Sequence, residues 1–148
     1  MSNLIKLMFI VAVLATSFTT CNKDDTENGG GGDVTIFKAV LYGYSEVPPN
    51  ASTATGATTL TFNKSTMKFT AVTTYTGLTP TAGHIHKAAV GVNGDVVFPF
   101  VITPSPITLQ SGILTQAQID DLFNGMMYVN LHTTAYPGGE IRGQLIKQ

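Results

Sequence analysis

Reactive side chains are scarce in this chain of 148 residues, which has no tryptophan, one cysteine, three histidines and charged groups at only 11% of positions. A single cysteine excludes an internal disulfide, so a folded domain must be held by its core alone. Eight basic against nine acidic residues give a formal net charge of −1. No basic stripe is available to neutralise a phosphate backbone, and nucleic acid is not expected as a partner. Long apolar runs are missing too: residues 7–15 form a run far short of the roughly 20 needed to span a bilayer. No Gly-x-Ser-x-Gly elbow or phosphate-binding glycine loop occurs, and Gly91-Val92-Asn93-Gly94-Asp95 lacks the repeated acids of a calcium loop. With no nucleophile, base and orienting acid in view, the chain is not expected to be an enzyme.

What is present at the start has the form of an address. Lys6, the apolar run and Ser17-Phe18-Thr19-Thr20 make a secretory signal peptide over residues 1–20. Thr19-Thr20-Cys21 resembles a relaxed bacterial lipobox, in which cleavage leaves Cys21 as the acylated N-terminus. A soluble secreted protein with a free thiol, or an uncleaved anchor, is the alternative. With two or three acyl chains, each methylene adding about 0.8 kcal/mol, the membrane would be the first partner. Residues 21–33 then read as the lipidated cysteine and a flexible acidic, glycine-ending tether. Lys23-Asp24-Asp25 resembles the export signal of surface lipoproteins in some Gram-negative bacteria. The expected location is extracytoplasmic, at the outer membrane, with surface display favoured over periplasmic display.

Residues 34–148 form the expected domain, and their hydrophobic period is mostly two. Leu60 and Phe62 alternate with Thr59, Thr61 and Asn63, and Met67, Phe69 and Ala71 with Lys68, Thr70 and Val72. The polar Asn63-Lys64-Ser65-Thr66 between them predicts a hairpin. Further strands are expected at 34–42, 83–89, 96–102, 127–134 and 140–146. About seven to eight short strands separated by Gly and Pro turns predict an all-β sandwich or barrel. One segment departs from that period. Thr115 with Gln118 forms a capping box, flanked by Leu114 and Ile119 as a staple, and predicts a short helix over 116–124 ended by Gly125. Its Asp120 and Asp121 are expected to be solvated.

Nearly all specific chemistry falls in two segments, Gly83-His84-Ile85-His86 and residues 128–144. On a strand, His84 and His86 share a face about 7 Å apart. Tyr128, Asn130 and His132 likewise share a face, opposite Val129 and Leu131, and Glu140, Arg142 and Gln144 line up on the last strand. The loop 135–139 lets those two strands pair and set their polar rows side by side. Glu46, in the rigid Glu46-Val47-Pro48-Pro49-Asn50 turn, is expected to be a solvated loop carboxylate.

Several separate blocks carry a family resemblance. Residues 39–49, Ala54-Thr55-Gly56-Ala57, Gly77-Leu78 with Gly83-His84-Ile85-His86, and Tyr128-Val129-Asn130-Leu131-His132-Thr133 through residues 137–144 resemble, in order, the CHRD domain. That domain is named for chordin, the extracellular inhibitor of bone morphogenetic proteins, and also occurs alone in bacterial secreted proteins. The resemblance implies an immunoglobulin-like β-barrel of the Greek-key type, distantly similar to copper-zinc superoxide dismutases, and a binding module without a settled activity. Its partner would be another envelope protein, a glycan or a host protein.

Two readings of the polar rows stand open. Three imidazoles, His84, His86 and His132, near a carboxylate suit copper or zinc. The His-x-His pair is similar to the copper-binding pair of the dismutases, but a fourth histidine, a zinc loop and a disulfide are lacking, so dismutase activity is not expected. Alternatively, Tyr128, Asn130, Glu140, Arg142 and Gln144 form with the histidines a self-satisfied network or a polar ligand site, Glu140 and Arg142 balancing each other's charge.

Overall fold

The structure, a computed structural model, describes residues 33–148. The expected signal peptide, Cys21 and the tether up to residue 32 lie outside the described residues. Asp33 already belongs to the domain, since its carbonyl accepts from Lys64 N at 2.7 Å and its carboxylate accepts from the Ser65 hydroxyl.

Alternation sets the first strand, β1 (Val34–Tyr42): Thr35, Phe37, Ala39 and Leu41 are buried while Ile36, Lys38 and Val40 face water. β1 pairs along its whole length with β2 (Thr55–Asn63), and β2 in turn with β3 (Lys68–Thr76). The expected hairpin is therefore present, and longer than expected. Its turn closes where Thr66 N donates to Asn63 Oδ1 at 2.9 Å, the short polar side chain standing in for a backbone acceptor. On the inner face Thr58 and Thr73 satisfy each other's hydroxyls at 2.8 Å.

The remaining elements are β4 (Ala82–Lys87), β5 (Asp95–Pro99), β6 (Ile107–Gln110), α1 (Gln116–Phe123), β7 (Met127–His132), β8 (Ile141–Gln144) and β9 (Ile146–Lys147). All pairings are antiparallel, in the order β5-β4-β7-β8-β1-β2-β3-β6, with β9 also against β1. The sheet curls into a half-barrel, so that strands far apart in this order meet across one core. Phe69 of β3 touches Phe98 of β5 edge-to-face at 5.0 Å. The all-β expectation holds, with nine strands among the described residues in place of seven or eight. β6 is four residues long, beside Pro104 and Pro106, too short for a visible period. β9 is the end of the last expected strand, set apart where Leu145 turns into the core and donates its N–H to Met127 O at 2.9 Å.

The helix forms as its capping box requires. Thr115 Oγ1 accepts from Gln118 N, and Gln118 Oε1 accepts from Thr115 N at 2.9 Å. Leu122 is buried, and the Phe123 ring meets Phe37 and Phe62 at 5.2 and 5.7 Å, so α1 plugs one side of the half-barrel. Asp121 departs from the expectation of a solvated charge: it is half-buried and pairs with Lys87 Nζ at 2.7 Å.

Candidate metal centre

β7 is buried on both faces. Val129 and Leu131 enter the core as expected, yet Tyr128 and Asn130 on the opposite face are only 2% and 3% exposed. Two loops roof this second face. Asn93 Nδ2 donates to Val47 O at 2.8 Å and ties the roof loops together, while Arg142 donates through Nη1 to Asn93 Oδ1 at 2.9 Å and through Nη2 to Val92 O. Glu46 closes the roof by accepting from Asn130 Nδ2 at 2.7 Å.

Register then decides which polar groups meet. β7 lies between β4 and β8, with Asn130 opposite both His84 and Arg142, and Tyr128 opposite both His86 and Gln144. The expected polar rows do lie side by side. His132, half-buried at the end of β7, completes a group in which one nitrogen from each of His84, His86 and His132 lies within 4.8 Å of the others.

Backbone carbonyls orient two of the three rings. His86 Nδ1 lies 2.9 Å from Gly94 O, and His132 Nδ1 lies 2.9 Å from Pro137 O. A carbonyl only accepts, so each Nδ1 carries the proton and each neutral ring keeps its lone pair on Nε2. The His86 Nε2 so defined is buried without any hydrogen-bond partner. His132 Nε2 faces His84 Nδ1 at 3.1 Å, a contact in which His84 must donate. Carbonyl-fixed imidazoles of this kind are the usual support of a metal ligand.

Electrostatics disfavour a charge on two of the rings. Burial lowers the His84 pKa from 6.5, with His132 and His86 adding to the effect. Burial also lowers that of His86; the Gly94 carbonyl and Asp95 oppose this, and His132 and Arg142 reinforce it. The Tyr128 ring is a spacer between the two cationic candidates: His86 stacks on it at 4.8 Å and the Arg142 guanidinium lies 3.5 Å from its centroid.

Other expectations need correction. Glu140 and Arg142 do not pair. Glu140 accepts instead from the Ser52 hydroxyl at 2.7 Å and from the Thr133 hydroxyl, because it sits in the turn before β8 and faces the 46–54 loop. The carboxylate expected beside the histidines is thus engaged elsewhere, and the ligand group is made of imidazoles alone. Gln144 ties the ends of two connections together, donating to Ala88 O at 3.0 Å and Gly125 O at 2.6 Å.

Glu46, expected to be solvated, is 4% exposed, and burial pushes its pKa from 4.5 to about 7 against the lowering effects of Arg142 and the Val47 N–H. In the 91–95 turn positive φ falls on Gly91, and Asn93 contributes its side chain to the roof. Gly94 is needed where it stands, since a Cβ there would overlap the Lys87 carbonyl. The sequence reading missed Asn50, Ser52, Val92, Asn93 and Thr133; the one available signal was the density of short polar and turn residues in those loops.

A profile of the CHRD domain matches residues 37–145. The chain belongs to the CHRD family. The match runs from β1 to Leu145 and so takes in both roof loops and all three histidines of the CHRD domain. No curated protein and no solved structure matches the chain.

Proposed function

We propose that this protein is an extracytoplasmic CHRD binding module, anchored to the outer membrane through Cys21, whose ligand is a copper or zinc ion held by His84, His86 and His132. The observation that carries the reading is the buried His86 Nε2, a lone pair without a donor inside a cluster of three imidazoles. An unsatisfied buried polar atom costs about 1–3 kcal/mol, which a cation would return. A metal held through His84 Nδ1 would need that ring's proton on Nε2. Three neutral imidazoles suit both zinc and copper, and the ion would supply a Lewis-acidic centre with room for a further ligand. The role is binding, not catalysis.

Calorimetry of the protein at pH 7.5 with copper and with zinc tests this. One-to-one binding, lost in His84→Ala/His86→Ala while the far-ultraviolet spectrum stays β, is the expected result. A folded wild type that binds neither ion more tightly than about 10 μM removes the reading. Anchoring is tested separately: metabolic labelling with a fatty acid should mark the wild type and not Cys21→Ser.

The metal-free alternative rests on the 3.1 Å contact between His84 Nδ1 and His132 Nε2, a hydrogen bond complete without an ion. In that reading the centre is a framework for the roof, and a protein or glycan would be the ligand of the module.

A further inference from the structure

A second site lies outside the histidine cluster. Between the 46–50 and 135–139 loops is a cavity of about 250 Å³, lined by Glu46, Pro48, Pro49, Tyr136, Pro137 and Gly139 among others. Its walls are poor in donors for a covalent reason. Three of these residues are prolines, which offer a carbonyl and no N–H. Two of the nearby donors are used: Asn50 Nδ2 donates to Gly139 O at 3.2 Å and to Glu140 O at 3.0 Å, and Gly139 N donates to Tyr136 O at 3.1 Å.

One carboxyl group borders this space. Glu46 is 4% exposed and lines the cavity, and among the described residues no lysine or arginine forms an ion pair with it. Its position is built rather than incidental. Asn130 Nδ2 holds Oε1 at 2.7 Å, and a Cβ on Gly139, whose φ is +132°, would collide with both the carboxyl group and that amide. An anionic ligand would sit beside the Glu46 carboxyl group, with the Tyr136 hydroxyl as the one side-chain donor on the wall besides the engaged Asn50 amide. A group with donors only, a positive charge and an apolar stem matches both the carboxyl group and the proline and tyrosine walls.

We propose that this cavity binds a primary alkylammonium group, carried by a lysine side chain or by a free amine, with Glu46 as its counter-charge and the prolines and Tyr136 around its methylenes. The site is independent of the metal reading: it uses none of the three histidines as a ligand-binding group.

The test is nuclear magnetic resonance of the isotope-labelled full chain, titrated with n-butylammonium chloride, with n-butanol, and with the peptide acetyl-Gly-Lys-Gly-amide. Butylammonium should shift the amides of Asn50, Gly138 and Gly139 with a dissociation constant of about 1 mM, the range open to a ligand of so few atoms. Butanol should bind at least about tenfold more weakly, since it lacks a charge-assisted hydrogen bond. Glu46→Gln should weaken butylammonium by a similar factor. If that variant fails to fold, the comparison of the two probes on the wild type still decides.

Tighter binding of the peptide than of butylammonium assigns the cavity to a lysine of a protein partner, and the reverse order assigns it to a free amine. Equal responses to butanol and butylammonium, or no shifts in either loop up to about 100 mM, overturn the proposal.

Discussion

The β1–β2–β3 half of the sheet and its β4–β7–β8 half obey the same alternation and end differently. In β2, Leu60 and Phe62 are buried while Thr59 is exposed, so one face makes the core and the other meets water. In β7 every residue from Met127 to Leu131 is buried. Loops lie over the outer face there, and they turn a sheet surface into an interior. An interior of polar side chains must satisfy itself or take a ligand, which is why the chemistry of the molecule sits in that half alone.

The largest effect should come from the face the halves share. Leu131→Ala and Leu60→Ala each remove a fully buried side chain and should cost about 2–5 kcal/mol in equilibrium denaturation. Both lie in one buried cluster, so a cost well below this range at either position would count against the shared core.

The roofed face comes next. Arg142→Met keeps the length of the side chain but leaves Val92 O and Asn93 Oδ1 without a donor. We expect a loss of about 2–3 kcal/mol by the same measurement. An effect as small as that of an exposed threonine would mean that the roof contributes nothing.

The pH dependence of stability should come from the roofed half. His84 and His86 have folded pKa values below 6.5. The stability they contribute is present above 6.5 and is lost as pH falls through the lowered values. Glu46, raised from 4.5 to about 7, works in the opposite sense: its contribution is full below 4.5 and is lost as pH rises through about 7. The two windows overlap below pH 6.5, where the contributions oppose each other, and between 6.5 and about 7 only the Glu46 contribution still changes, so wild-type denaturation midpoints should decline with rising pH there. Glu46→Gln should remove the decline toward pH 7 and leave the rise of stability up to pH 6.5 steeper than in the wild type.

Thr115→Ala, which removes the hydroxyl half of the capping box, should cost about 1 kcal/mol. Thr59→Ala on the open face should stay within about 0.5 kcal/mol.

The contrast between halves also explains what could be seen in the residues beforehand. Signals that act over a few positions were legible: the alternation through Leu60 and Phe62, the Thr115–Gln118 box, the shared face of His84 and His86, and the two faces of β7. Contacts that join loops to the sheet were not. Asn130 and Glu46 are 84 residues apart, and no local period links them, so Glu46 looked like an ordinary loop carboxylate. The same cause separated Glu140 from Arg142. Their i, i+2 spacing suggested an ion pair, but each found a partner on a different loop. Convergence of His132 with the His84–His86 pair depended on the β4–β7 register, which the pleat alone leaves open.

The stack of Arg142, Tyr128 and His86 gives the protein an optical reporter of its own. With no tryptophan in the chain, tyrosines supply the intrinsic fluorescence, and one of the five is clamped between a guanidinium and a histidine of the cluster. A paramagnetic ion on that histidine would quench emission from this ring far more than from the tyrosines elsewhere, whereas zinc would leave it bright. The colour and lifetime of an unlabelled sample would then tell the two ions apart, and Tyr128→Phe would silence the signal without touching a ligand.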